Sequence, residues 1–173
     1  MVQKIRRIII SILQLRYRIK EIIMSHKVAD CKGPIFIGGG SHTSLSRNTH
    51  LGHNTNFNGM IIKGEGHVFI GDNFHSGQNC LILTSNHNYE GSQIPYDSEI
   101  INKDVIIENN VWLGDNVIIL PGSYIEEGAI IQAGSVVVSK IPKYAIAGGH
   151  PAKQFSSRNA EHYEYLKSKK QFH

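Results

Sequence analysis

The sequence predicts an all-β chain wound as a parallel β-helix, and three observations predict it. Ile107, Leu113, Ile119, Ile125, Ile131 and Val137 recur at intervals of six. A small or β-branched residue follows four positions later: Val111, Val117, Ser123, Ala129 and Ser135. Gly114, Gly122, Gly128 and Gly134 punctuate the same stretch. A period of six fits neither the 3.6 of a helix nor the simple alternation of a lone strand. It fits a chain that runs straight, turns and runs straight again, returning one apolar side chain per face to the interior. Three such faces make a triangular coil of roughly eighteen residues, each coil stacked on the next at about 4.8 Å. The Asn109-Asn110, Asp115-Asn116 and Glu127-Gly128 pairs suit corners that need left-handed backbone angles.

In chain order, residues 1–28 read as an amphipathic helix. Ile5, Ile8, Ile9, Ile12, Leu15, Ile19 and Ile22 recur at helical spacing among Lys4, Arg6, Arg7, Arg16, Arg18 and Lys20. The segment is too charged to span a bilayer, and no small-residue cleavage site marks it as a signal peptide. Two roles fit it. It can cap the blunt end of the β-helix and hide an open strand edge, or rest on an anionic membrane surface.

Residues 29–155 are expected to form the coils. Ile37 begins an Ile-Gly-Gly-Gly segment; Leu45, Leu51 and Phe57 share one frame of six, and Ile70, Ser76 and Ile82 share another. Two extra residues between Ile37 and Leu45, and one between Phe57 and Ile70 beside Gly64 and Gly66, are slips a corner can absorb. Residues 88–103 lack the period and hold Gly91 and Pro95, so they are expected to protrude as a loop. Residues 156–173 are polar and lysine-tipped; Ser156-Ser157 can cap a short surface helix there.

At 173 residues the chain is one domain by length, with a formal charge of +4 concentrated in its first twenty residues. Cys31 and Cys80 form no disulfide or zinc pattern, which suits a reducing cytoplasm, and Cys80 reads as an interior filler. No nucleic-acid partner is expected.

The stretch Val111 to Lys153, VWLGDNVIILPGSYIEEGAIIQAGSVVVSKIPKYAIAGGHPAK, resembles the C-terminal coils and cap of the hexapeptide-repeat acyltransferases. The likeness is to the galactoside/maltose and xenobiotic acetyltransferases, a group that includes bacterial surface-polysaccharide acetyltransferases, and it runs from about Ile37 to Arg158. It implies a left-handed β-helix, a homotrimer, and acetyl-CoA as acyl donor with no metal required. Handedness rests on the resemblance alone, since general connection rules favour right-handed crossovers.

These families carry a catalytic histidine in a Thr-x-x-His stretch before the protruding loop, here Thr84-Ser85-Asn86-His87. The chemistry needs such a group. A sugar hydroxyl attacks a thioester poorly, and an imidazole can take its proton as the new bond forms and then protonate the leaving thiolate. The resemblance places acceptor contacts at Asn58, in Leu51-Gly52-His53-Asn54-Thr55-Asn56-Phe57-Asn58, and at Glu65, five before Ile70-Gly71. One residue fewer separates those two segments here than in the sugar acetyltransferases. It places Trp112 beside His87 from the adjacent coil. It also lays the pantetheine arm by backbone groups near Gly114 and Ala133, with Ser139, Lys140, Lys153 and Arg158 for the nucleotide and its phosphates. Each of these also has a purely structural reading: corner asparagine, solvated lysine, aromatic lid.

Three functions follow as alternatives. The first is acetyl transfer to a hydroxyl or amine of a sugar, in the cytoplasm or at the inner membrane face, with a hydrophobic xenobiotic acceptor as its variant. The second is a metal hydratase of the γ-carbonic-anhydrase type, which shares this fold; it needs two histidines five residues apart, a spacing absent from the repeats. The third is a non-catalytic scaffold. Tyr89, Tyr96, Glu90, Asp97 and Glu99 in the loop suit a sugar face and its hydroxyls, and equally any solvated loop.

Overall fold

The computed structural model describes residues 2–38 and 42–173. Gly39 and Gly40 of the Ile-Gly-Gly-Gly segment lie outside them. Helix α1 (Val2–Lys27) leads into a stack of short parallel strands on three faces. The first face stacks Asp30–Cys31, Thr49–Leu51, Val68–Ile70, Val105–Ile107, Tyr124–Ile125 and Lys140–Ile141. The second stacks Ile35–Ile37, Thr55–Phe57, His75–Ser76, Trp112–Leu113, Ile130–Ile131 and Ala145–Gly149. The third stacks Met60–Lys63, Cys80–Leu83, Ile118–Ile119 and Val136–Val137.

The period of six is the interior register. Leu51, Ile70, Ile107, Ile125 and Ile141 lie in line on the first face. Phe57, Ser76, Leu113, Ile131 and Ala147 lie in line on the second, and Ile62, Ile82, Ile119 and Val137 on the third. All of them are buried, as are the small partners Val111, Val117, Ser123, Ala129 and Ser135 and the filler Cys80. The residue before each inward one points out, which fixes what each face shows to solvent. The slip between Phe57 and Ile70 is absorbed at the corner after Lys63. There Gly64 has φ +103°, and a Cβ on it would meet the Ser85 amide nitrogen at 2.8 Å.

Polar ladders hold the corners. Asn54, Asn73 and Asn110 all have positive φ, and each amide donates to the next: Asn54 to Asn73 at 3.0 Å, Asn73 to Asn110 at 2.8 Å. Asn110 passes the ladder on to the Tyr163 hydroxyl at 2.7 Å, on helix α2 (Ala160–Ser168). Tyr163 donates to Glu127 at 3.2 Å, and Lys167 and Lys143 pair with the same carboxylate. Burial pushes the Glu127 carboxyl up, but the two lysines outweigh it and hold the group below the usual carboxylate range. Asn110→Ala is therefore expected to cost about 2–3 kcal/mol, from a left-handed alanine and a broken ladder. Asn110→Gly should cost less, because it restores the backbone; urea midpoints measure both.

Three details depart from expectation. The loop after Thr84 is rooted in its own antiparallel ribbon, Ser85–His87 against Ile100–Asn102. Helix α2 is capped by Asn159, whose side chain accepts from the His162 amide at 2.8 Å. Ser156 and Ser157 instead extend a strand, Ala152–Ser157, antiparallel to Ala145–Gly149 on the last coil. Lastly, among the described residues α1 meets the coils only by its end. Met24 and Val28 are buried, and Glu21 accepts from the Ile37 amide at 3.2 Å.

Candidate active site

His87 closes the strand Ser85–His87, opposite Ile100 of the ribbon. Its ring lies exposed and stacks on Tyr96, with centroids 3.9 Å apart and planes 15° from parallel. Stacking covers a ring face and leaves the edge nitrogens open. Among the described residues the imidazole makes no side-chain hydrogen bond, so both nitrogens are open to a proton donor or acceptor. The loop that carries Tyr96 is braced from within. The Asn88 amide donates to Glu99 at 3.0 Å and to Asp97 at 3.4 Å, and Asp97 also accepts from the Ser92 amide at 3.1 Å.

The root of the ribbon is tied to the coil before it. The Ser85 hydroxyl donates to Asn102 at 2.5 Å and accepts from the Glu65 amide at 3.0 Å. Glu65 thus reaches the histidine's strand through its backbone; its carboxylate turns outward to Arg47 at 3.6 Å.

A second concavity opens on the second face. Helix α2 and the chain end arch over the outward residues Asn56, His75 and Trp112, enclosing a cavity of about 460 Å³ with Arg158 and Phe172 in its wall. Trp112 is half-exposed and sheet-paired with His75 and Ile130. Its expected packing on His87 is not made within the chain: His87 sits on the ribbon that leaves the stack after the third face and stacks on Tyr96, while Trp112 stands on the second face. The basicity of His75 is lowered, first by burial and then by the charge of His173. Its Nε2 accepts from the Asn58 amide at 3.1 Å. The same Asn58 amide donates to the Ser76 carbonyl at 2.9 Å, so Asn58 braces a corner and carries the wall of the cavity through His75.

The residues expected around a coenzyme are spread out. Arg158 lines the cavity, its guanidinium 4.9 Å from the Tyr163 ring and 3.3 Å from the Gly128 carbonyl. Lys140 stands on the first face, paired with Glu126 at 2.7 Å, and Ser139 is exposed just before it. Lys153 is exposed on the last antiparallel strand. Near Gly114, where backbone groups are expected along the pantetheine arm, the Gly114 N–H itself donates to the Ile131 carbonyl at 2.8 Å. What Gly114 supplies is clearance: a Cβ there would meet the Ala133 nitrogen at 2.6 Å. Ala133 itself is exposed at that corner.

Sequence reasoning missed His75, Asn56 and Tyr163. The first two were recoverable. Each immediately precedes an interior residue, Ser76 or Phe57, as Trp112 precedes Leu113, so all three must face outward together. Among the described residues no cluster of histidine, cysteine or carboxylate is arranged to hold a metal.

Residues 104–139 match the family model "Bacterial transferase hexapeptide (six repeats)". The galactoside O-acetyltransferase of Escherichia coli K12 is 32% identical over 133 residues, 75% of this chain and 63% of that protein. The chain thus spans less than two thirds of that curated relative. A maltose O-acetyltransferase from Clostridium difficile 630 superposes with a TM-score of 0.72 at 30% identity, covering 83% of this chain and 76% of the other. A galactoside acetyltransferase solved in complex with coenzyme A gives a TM-score of 0.71 at 27% identity, covering 83% and 72%.

Proposed function

The chain belongs to the hexapeptide-repeat acyltransferase family, and from that membership we propose that it transfers an acetyl group from acetyl-CoA to a hydroxyl or amine of a sugar. The observation that carries the reading is His87, an imidazole with open edges at the root of a protruding ribbon. The acceptor O–H or N–H gives its proton to His87 as its heteroatom attacks the thioester carbon. The tetrahedral intermediate collapses, the C–S bond breaks, and the imidazolium returns the proton to the coenzyme thiolate. Trp112 offers a flat apolar face to a sugar ring or to the pantetheine arm. Arg158 supplies a cation for phosphate. The relatives named for galactoside and maltose acetylation favour a sugar over a hydrophobic drug, and surface-polysaccharide synthesis is the setting that fits a modified sugar. Two unpaired cysteines suit the reducing cytoplasm, where acetyl-CoA is made.

Within one chain His87 and the Trp112 cavity lie apart, so the site is completed by a second copy, and a homotrimer is the assembly we assign. The third face supports it. Ile61, Leu81, Ile118 and Val136 form an outward aliphatic stripe that solvent alone has no use for. Ile118→Lys is expected to reduce the solution mass from three times 19.3 kDa to that of one chain, and to lower turnover more than tenfold while the fold persists. Light scattering and circular dichroism read the two. Thiol release from acetyl-CoA over a panel of sugars and amino sugars tests the activity. Release that no sugar accelerates would reject it.

A further inference from the structure

The N-terminal helix presents an apolar stripe that the other described residues do not cover. Ile5, Ile9, Ile12, Leu15, Ile19 and Ile23 fall on one side of α1 at helical spacing, and each is 48% to 60% exposed. The side that meets the coils is a different one, carrying Glu21 and Met24. Capping therefore uses the last turns of the helix and leaves the stripe open. Arg7, Ser11, Gln14 and Arg18 take the opposite side; Lys20 borders the stripe and Arg16 interrupts it, both on stems long enough to lie along an apolar surface.

We propose that α1 docks the protein on an anionic lipid bilayer, lying in the plane of the headgroups with its isoleucine stripe turned into the acyl boundary. Charge selects the occupant. Residues 2–27 contain Lys4, Arg6, Arg7, Arg16, Arg18, Lys20 and Lys27 against one acid, Glu21, which is engaged with the Ile37 amide. A second copy of the helix would bring like charges together with no carboxylates to pair them, whereas helix–helix seams are flanked by complementary charges. An anionic leaflet supplies the missing negative charge continuously. The helix lies on the membrane and does not cross it, since no helix among the described residues is long and apolar enough to span. The proposal stands independently of the acetyl transfer.

The test is flotation of the full chain with phosphatidylcholine vesicles and with phosphatidylcholine–phosphatidylglycerol vesicles. The wild-type chain is expected to float with the anionic vesicles and to be released as salt rises. The exposed-face variant I9E/I12E is expected to bind at least tenfold less, as is R6E/R7E, with melting temperature and oligomer mass unchanged. Flotation of I9E/I12E at the wild-type level would overturn the proposal, as would failure of the wild type to float with anionic vesicles. A fall in the oligomer mass of I9E/I12E in the absence of vesicles would also overturn it, assigning the stripe to contacts between copies.

Discussion

His87→Ala is expected to lower turnover by about 10²–10⁴, equivalent to roughly 3–5 kcal/mol of barrier, while leaving the KM for acetyl-CoA within about threefold of wild type. The split follows from placement. The imidazole is exposed, stacks on Tyr96 and makes no side-chain hydrogen bond among the described residues, so its removal leaves neither a hole in the core nor a broken ladder. Melting temperature should stay constant, which separates lost chemistry from lost fold. Steady-state kinetics of thiol release measure both parameters. A variant with wild-type turnover would remove the base from this position. If His75→Ala were the inactive variant instead, the base would move to the cavity beneath α2.

Leu113→Ala is expected to destabilise the fold by about 2–5 kcal/mol and to lower the melting temperature by about 10 °C. Leu113 is fully buried, in line between Ser76 of the coil before and Ile131 of the coil after. Ser76 is too small to fill the volume a truncated Leu113 would leave. Both neighbours are held in register by backbone hydrogen bonds, so collapse into the space would strain the ladders on either side. Differential scanning calorimetry gives the shift, and a change below about 2 °C would mean that the interior line is not a packed core.

The coils were legible because one physical demand repeats. Every sixth residue turns inward to meet the same position of the next coil, and all but Ser76 are apolar, as where Ile107 meets Ile70 and Ile125. The corners were legible where asparagine or glycine must take positive φ, as at Asn110, Asn116 and Gly128. The ribbon of Ser85–His87 and Ile100–Asn102 was not, because three-residue strands, Ser-Asn-His and Ile-Ile-Asn, are too short to show an alternation. Nor was the cap of α2: Ser156 and Ser157 are good caps by type, but pairing with Ala145 and Ile146 draws them into a strand, and the next polar residue in position is Asn159. Of the candidate site, the place of His87 at the root of the loop was legible from its Thr-x-x-His context. The fate of an amide such as Gly114 N–H was not, because the neighbouring coil decides whether it is already bonded. The amphipathy of α1 was plain in the sequence; which side would meet the coils was not, since that depends on the geometry of the stack's end.

The ribbon is where the chain departs from the stack and comes back without disturbing it. Corner partners across the excursion, Asp72 and Asn109, are 37 residues apart in sequence, against 18 for Asn58 and Ser76 within the regular winding. A doubling of contour length adds only about 0.6 kcal/mol of closure entropy. A change in the length of the segment beside His87 therefore costs little closure entropy, and the coils on either side need not shift to take it up.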